Sequence, residues 1–559
     1  MKSILFIAPF LALLLISCSG GSSMDTAARQ FVDKHTQIVE PLMKAQALAS
    51  WNANATGEKK FYTENAALDV EISKVYSNKN EFQQIKTWLE GKEIKDSLLL
   101  RQLTILHNKY LTKQLDTTLM KQIADKEAVI AEKFNTFRPK LDGKEVSDNV
   151  INEILKTETN SAKRQKAWEA SKEVGLAVAP MVIELAKLRN QAAQQLGFEN
   201  YYVMSLVANE QSERELVAIF DELKQVTDEA FKKLKTDIDG NLTKKYGIKT
   251  DQVMPWHYQD RFFQEAPTIG TVDLDKYFKG KKVDQVDEVF YKGIGMEVQE
   301  INKNSDLYER KGKYQHAFCS DIDRKGDIRM MLSISDNHYW AATMLHELGH
   351  AVYSKYTRSD LPFFLRDASH AFLTEAIAQL MERQASNADW LEAMVGVSAK
   401  EKEEIRKVTV ENLRLRQLIF CRWSQVMLRF ERAMYQNPDE DLNKMWWDLV
   451  EEYQLVKRAP GRNAPDWAAK IHLAQYPVYY HNYMLGELAA SQIQHTIVKN
   501  VLKLDAPGQA SFAGKPEVGN YLKEKVLSPG TTLRWDGLLK YATGETLTAK
   551  YFAEEFVGK

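Results

Sequence analysis

Two histidines four residues apart, His346 and His350, enclose Glu347 in a stretch whose flanks, Thr343, Met344, Leu345, Ala351 and Val352, carry no charge. Uncharged flanks around polar groups at i and i+4 describe a helix buried beneath a cleft, with both imidazoles on one face about one turn apart. The chain must therefore pack apolar elements around most of this helix and leave the two rings accessible. His346-Glu347-Leu348-Gly349-His350 fits H-E-x-x-H, in which two nitrogen donors hold one zinc ion and the adjacent carboxylate acts as general base on water.

Zinc in such a site takes a third protein ligand. Glu375 lies in the apolar-flanked run Ser369 to Gln379, which Ser369 is placed to cap. On spacing alone Asp367, His370 and Glu382 compete with it, and the residues by themselves leave the choice open.

A strand is expected over 327–335, leading through a cap at Asp336-Asn337 into the helix that carries the motif and runs to about Tyr356. The region 27–245 is mostly helical in pattern, as in the recurrence of Met181, Leu185, Leu188, Ala192 and Leu196. Further helices are expected over 370–386, 400–436, 440–457 and 478–500, with breaks at Asn437-Pro438 and Ala459 to Asn463. The aromatic segment from Pro255 to Pro267 interrupts the rhythm and reads as an ordered loop or short helix.

With 75 basic and 76 acidic residues among 559, the chain has no global field to attract nucleic acid. Lys2 precedes an apolar run, Ile4 to Ile16, too short to span a membrane as a mature helix. Leu15-Ile16-Ser17-Cys18 resembles a bacterial lipobox. The expected organisation is a lipoprotein signal peptide over 1–17, a flexible tether over 18–26 and a single catalytic unit over 27–559. The protein would then be exported, periplasmic or on the cell surface, and held to the membrane only through a lipid on Cys18. The two other cysteines, Cys319 and Cys421, allow at most one intrachain disulfide. Oligomeric state has no sequence signal.

Beyond the motif, Asp360-Leu361-Pro362, Leu365-Arg366-Asp367 and Glu375 follow in an order that resembles the angiotensin-converting-enzyme family of zinc peptidyl-dipeptidases. Ser50-Trp51-Asn52, Trp168, the helix end from Arg189 to Gly197, Trp446-Trp447 and Gly530 to Trp535 also match in family order. The stretch Tyr479 to Glu487 equally resembles the related thimet oligopeptidases. The resemblance implies a mainly α-helical fold of the gluzincin type: a two-lobed helical clam with a deep central channel and a small β-sheet. It implies a zinc ion held by His346, His350 and Glu375, and peptide as substrate.

It also implies roles residue by residue. His316-Ala317 would lie on the strand lining the cleft, the alanine backbone pairing with an extended substrate and the histidine pointing into the pocket. Lys470 would hold the free C-terminal carboxylate, with Tyr480 and Gln259 beside it, although Tyr258 competes for the glutamine's place. His472 and Tyr483 would stabilise the oxyanion, with Tyr479 as a neighbouring competitor for the tyrosine role. Two departures stand out. Gln379 occupies the place of the family's aspartate that orients a zinc histidine, and Asn482 replaces the arginine associated with chloride binding. These readings favour release of C-terminal dipeptides from short peptides. The rivals are endopeptidase action of the thimet type and a lipid-anchored peptide-binding protein without turnover.

Overall fold

The computed structural model describes residues 23–267, 272–505 and 510–558. The expected signal peptide, Cys18 and the first part of the expected tether lie outside them. Residues 23–26, expected to end the tether, are instead the first turn of helix Ser23–Thr56. Asp25 fixes that turn, since its buried carboxylate accepts the Lys95 backbone N–H across 2.9 Å.

The structure is 70% helical, and its described residues form two small antiparallel sheets of two strands each. The mainly α expectation holds because apolar residues recur at helical spacing almost throughout and bury a large core that spans most of the chain. The N-terminal helices have a core of their own, built from Val32, Ile85, Leu103 and Tyr110 and closed by Phe363 and Phe364. Trp51 of the first helix packs against Phe318, Ile322 and Met331, which joins that region to the hairpin Phe318–Asp321 with Ile328–Met331. Among the described residues no helix is long and apolar enough to cross a membrane.

The strand expected over 327–335 is shorter, Ile328–Met331. Beyond Met331 the backbone leaves the hairpin, because the N–H groups of Leu332 and Ile334 donate to Asp306 and Leu307, each across 2.9 Å. Asn337 then caps helix His338–Tyr356, its side chain accepting the Trp340 N–H. Helix Ala371–Glu382 is capped by His370, whose Nδ1 accepts from Phe372 N–H. Ser369, the expected cap, instead donates its hydroxyl to Gly530 O.

Helix Ala371–Glu382 is clasped between His338–Tyr356 and His481–Thr496, and two glycines allow the approach. A Cβ on Gly349 would meet the Ala378 Cα at 2.6 Å, and one on Gly486 would meet the Gln379 Oε1 at 2.9 Å and the Glu375 Cγ at 3.1 Å. The glycine inside H-E-L-G-H therefore sets how near the Glu375 helix comes to the two histidines. Helix Ser161–Gln195 steadies the far side. Its buried Arg189 donates to Tyr435 Oη (3.0 Å), Glu127 (2.6 Å) and the Ala474 carbonyl (2.6 Å), tying down the segment that follows Lys470 and His472.

Candidate active site

His346 and His350 face the same way from successive turns, with ring centres 5.0 Å apart. The Glu375 carboxylate reaches both, one oxygen 3.8 Å from His346 Nε2 and the other 3.6 Å from His350 Nε2. One donor atom from each of these three residues lies within 4.8 Å of the others, the only such His/Cys/Asp/Glu trio among the described residues. Zinc bonds of about 2.0–2.2 Å in tetrahedral array set donors about 3.4 Å apart, so the trio fits zinc with small adjustments.

The far nitrogens of both rings are hydrogen-bonded, which fixes the orientation of each imidazole. His350 Nδ1 pairs with Thr374 Oγ1 at 2.8 Å, and His346 Nδ1 with the Glu382 carboxylate at 3.1 Å. Glu382 is held in turn by Arg416 at 3.3 Å. Gln379, one turn after Glu375, donates to Glu375 Oε1 across 3.2 Å. It steadies the Glu375 carboxylate, while the contact that orients His346 comes from Glu382. Of the competitors for the third ligand, Asp367 is drawn off by Arg324 and His370 caps a helix.

Electrostatics favour a cation in the pocket. Burial, reinforced by Glu375 and Glu382 and opposed by His346, pushes the Glu347 carboxyl up to about 7. Burial also raises Glu375. Three carboxylates crowd two imidazoles there, and a divalent ion relieves the excess negative charge.

The cleft opens on both sides of the trio. A cavity of about 500 Å³ is lined by Ala317, Cys319, Glu347, His350 and Arg366, and one of about 1040 Å³ by Lys470, His472, Tyr480, Tyr483 and Gln379. His316, expected in the pocket, is exposed beside Tyr314, ring centres 5.2 Å apart. Successive side chains of an extended segment point opposite ways, so Ala317 faces the cleft and His316 turns outward. Cys319 and Cys421 are free thiols.

Lys470 is buried among the rings of Tyr480, Trp423 and Phe262, at 5.1, 5.2 and 5.6 Å from its Nζ. It donates to Gln264 Oε1 across 2.7 Å. Gln264, not Gln259, is the glutamine at this lysine. Gln259 is buried with left-handed backbone (φ 67°) beside Tyr246, and the tight turns after Trp256 carry it away. Sequence spacing missed Gln264 because the segment from Pro255 to Pro267 has no regular periodicity from which to count.

Burial, with Lys470 adding to it, holds His472 down to about 4 and so neutral near pH 7. Its Nδ1 is buried without a partner. Tyr480 accepts a hydrogen bond from Trp423 Nε1 at 2.7 Å, which makes it part of the lysine's cage. Tyr483 and Tyr479 both feel the Glu375 charge; of the two, Tyr483 lines the larger cavity.

The family model for peptidase family M3, the thimet oligopeptidase family, matches residues 154–558, which include every one of these side chains except those of the N-terminal helices. The chain belongs to peptidase family M3. The N-terminal part, residues 22–260, is similar to the angiotensin-converting-enzyme family. This M3 peptidase is accordingly a metallopeptidase acting on short peptides.

Proposed function

We propose that this M3 peptidase depends on zinc held by His346, His350 and Glu375, and releases dipeptides from the C-termini of short peptides. Lys470 carries the second half of that reading. A buried cation whose hydrogen-bond acceptor is a neutral amide, which feels Asp260 and Glu265 only at a distance and has no carboxylate in ion-pair reach among the described residues, lacks a direct counter-ion. A peptide's terminal carboxylate supplies it. Because Lys470 lines the half of the cleft that ends at Tyr483 and Gln379, an anchored terminus leaves only a short segment before the scissile bond.

Zinc, when bound, acts as Lewis acid on water and on the scissile carbonyl. Glu347 takes the proton of the attacking water and returns it to the leaving amine. His472, neutral and with one N–H to give, and Tyr483, whose hydroxyl burial keeps protonated, donate to the oxyanion. The Ala317 backbone borders the other half-cleft and pairs with the extended substrate there. Tyr480 walls the carboxylate site.

Digestion of one peptide with a free and with an amidated C-terminus tests the reading. Dipeptide release from the free form alone is expected, and equal cleavage of both rejects anchoring at Lys470. A specific observation favours the endopeptidase alternative: the 500 Å³ half-cleft leaves room for substrate to extend past the trio on the other side. Internal cleavage of the amidated peptide is its signature. Lys2, the run Ile4 to Ile16 and Leu15-Ile16-Ser17-Cys18 support export and lipid anchoring, and Cys18→Ser should release the protein from membranes.

A further inference from the structure

Most charged groups lining the larger half-cleft are already engaged. Asp273 accepts the Lys276 N–H and Asp275 the His338 N–H. Arg416 pairs with Glu382, and Glu487 with Arg383. Two remain. One is Lys470, bonded to Gln264. The other is Glu265, next in sequence to Gln264, open to the cleft and without an ion-pair or hydrogen-bond partner among the described residues. Lys470 and Glu265 each feel the other's charge, yet they form no ion pair.

This leaves one positive and one negative group close together on a single wall. Two cations, Lys156 and Lys470, partly compensate Glu265; a peptide carboxylate docked on Lys470 neutralises the one that lines the cleft, while the repulsion of nearby Asp260 persists. The negative charge at Glu265 is then best met by a cation belonging to the same substrate. A C-terminal lysine or arginine provides both complements, its α-carboxylate for Lys470 and, a side chain's length away, its cation for Glu265. We infer that Glu265 is a specificity-determining residue that selects peptides ending in a basic residue, an inference that rests on the carboxylate anchoring proposed above. A C-terminal acidic residue would face Glu265 with like charge and be disfavoured.

The test uses the full-length enzyme with zinc and four peptides identical but for their ends: C-terminal Lys, Leu or Glu as free acids, and the Lys peptide amidated. For the parent, kcat/KM should follow Lys, then Leu, then Glu, with about tenfold between the first two. In Glu265→Gln the Lys-to-Leu ratio should fall to about one, and in Glu265→Lys the order of Lys and Glu should reverse. Ratios within one preparation do not depend on its active fraction, so partial misfolding of a variant leaves the readout intact. A Lys-to-Leu ratio unchanged in both variants, with the amidated peptide resistant, overturns the role of Glu265 and leaves the anchor standing. Equal cleavage of amidated and free Lys peptides overturns the anchor itself.

Discussion

His346 Nδ1 lies 3.1 Å from the Glu382 carboxylate, two helical turns beyond Glu375 rather than one. The geometry works because helix Ala371–Glu382 runs alongside the motif helix at glycine distance, so a carboxylate seven residues after Glu375 comes level with the first histidine. Gln379, the apparent defect of the site, sits instead against Glu375.

Glu382→Gln should therefore weaken zinc affinity by about 10–100-fold while leaving the fold intact, whereas Gln379→Asp should not strengthen it. Competition with a chelator of known affinity measures both. An unchanged affinity in Glu382→Gln would show that the His346 contact is incidental.

Glu347→Gln keeps the shape of the side chain and removes the base. Zinc content by metal analysis should stay at one ion per chain, and peptide hydrolysis should drop by about a hundredfold or more. The same pair of assays disposes of the non-catalytic rival, which expects turnover to be absent already in the parent and indifferent to metal.

Burial pulls the Lys470 ammonium down to about 8. Its cationic form binds the terminal carboxylate, so kcat/KM for free-acid peptides should fall as pH rises through about 8, and Lys470→Met should remove that limb while raising KM. Burial disfavours the charged amine, hence the downward direction; a limb that survives in Lys470→Met must come from another group.

Gly349→Ala places a methyl group 2.6 Å from the Ala378 Cα and 3.0 Å from its N. The helices must separate, which should cost about 1–3 kcal/mol of stability. Because the displaced helix carries Glu375, zinc affinity should fall with it. Thermal unfolding with and without zinc gives both numbers, and full zinc affinity in the variant would argue against Gly349 setting the ligand distance.

Features that depend only on local spacing were determined by the sequence alone. A period of 3.6 puts His346 and His350 on one face whatever surrounds them, Asn337 can cap because its side chain reaches its own helix, and apolar recurrence commits the chain to a mainly helical core. Tertiary structure decided everything that depends on which elements meet. The orienting partner of His346 is Glu382 because helix packing, not sequence distance, brings it there. Lys470 meets Gln264 rather than Gln259 because the irregular path after Trp256 offers no period to count along. His316 turns to solvent because its neighbour Ala317 takes the cleft-facing side. Contacts between residues far apart in the chain are fixed by the relative placement of whole elements, and a linear pattern carries no information about that placement beyond the faces it makes apolar.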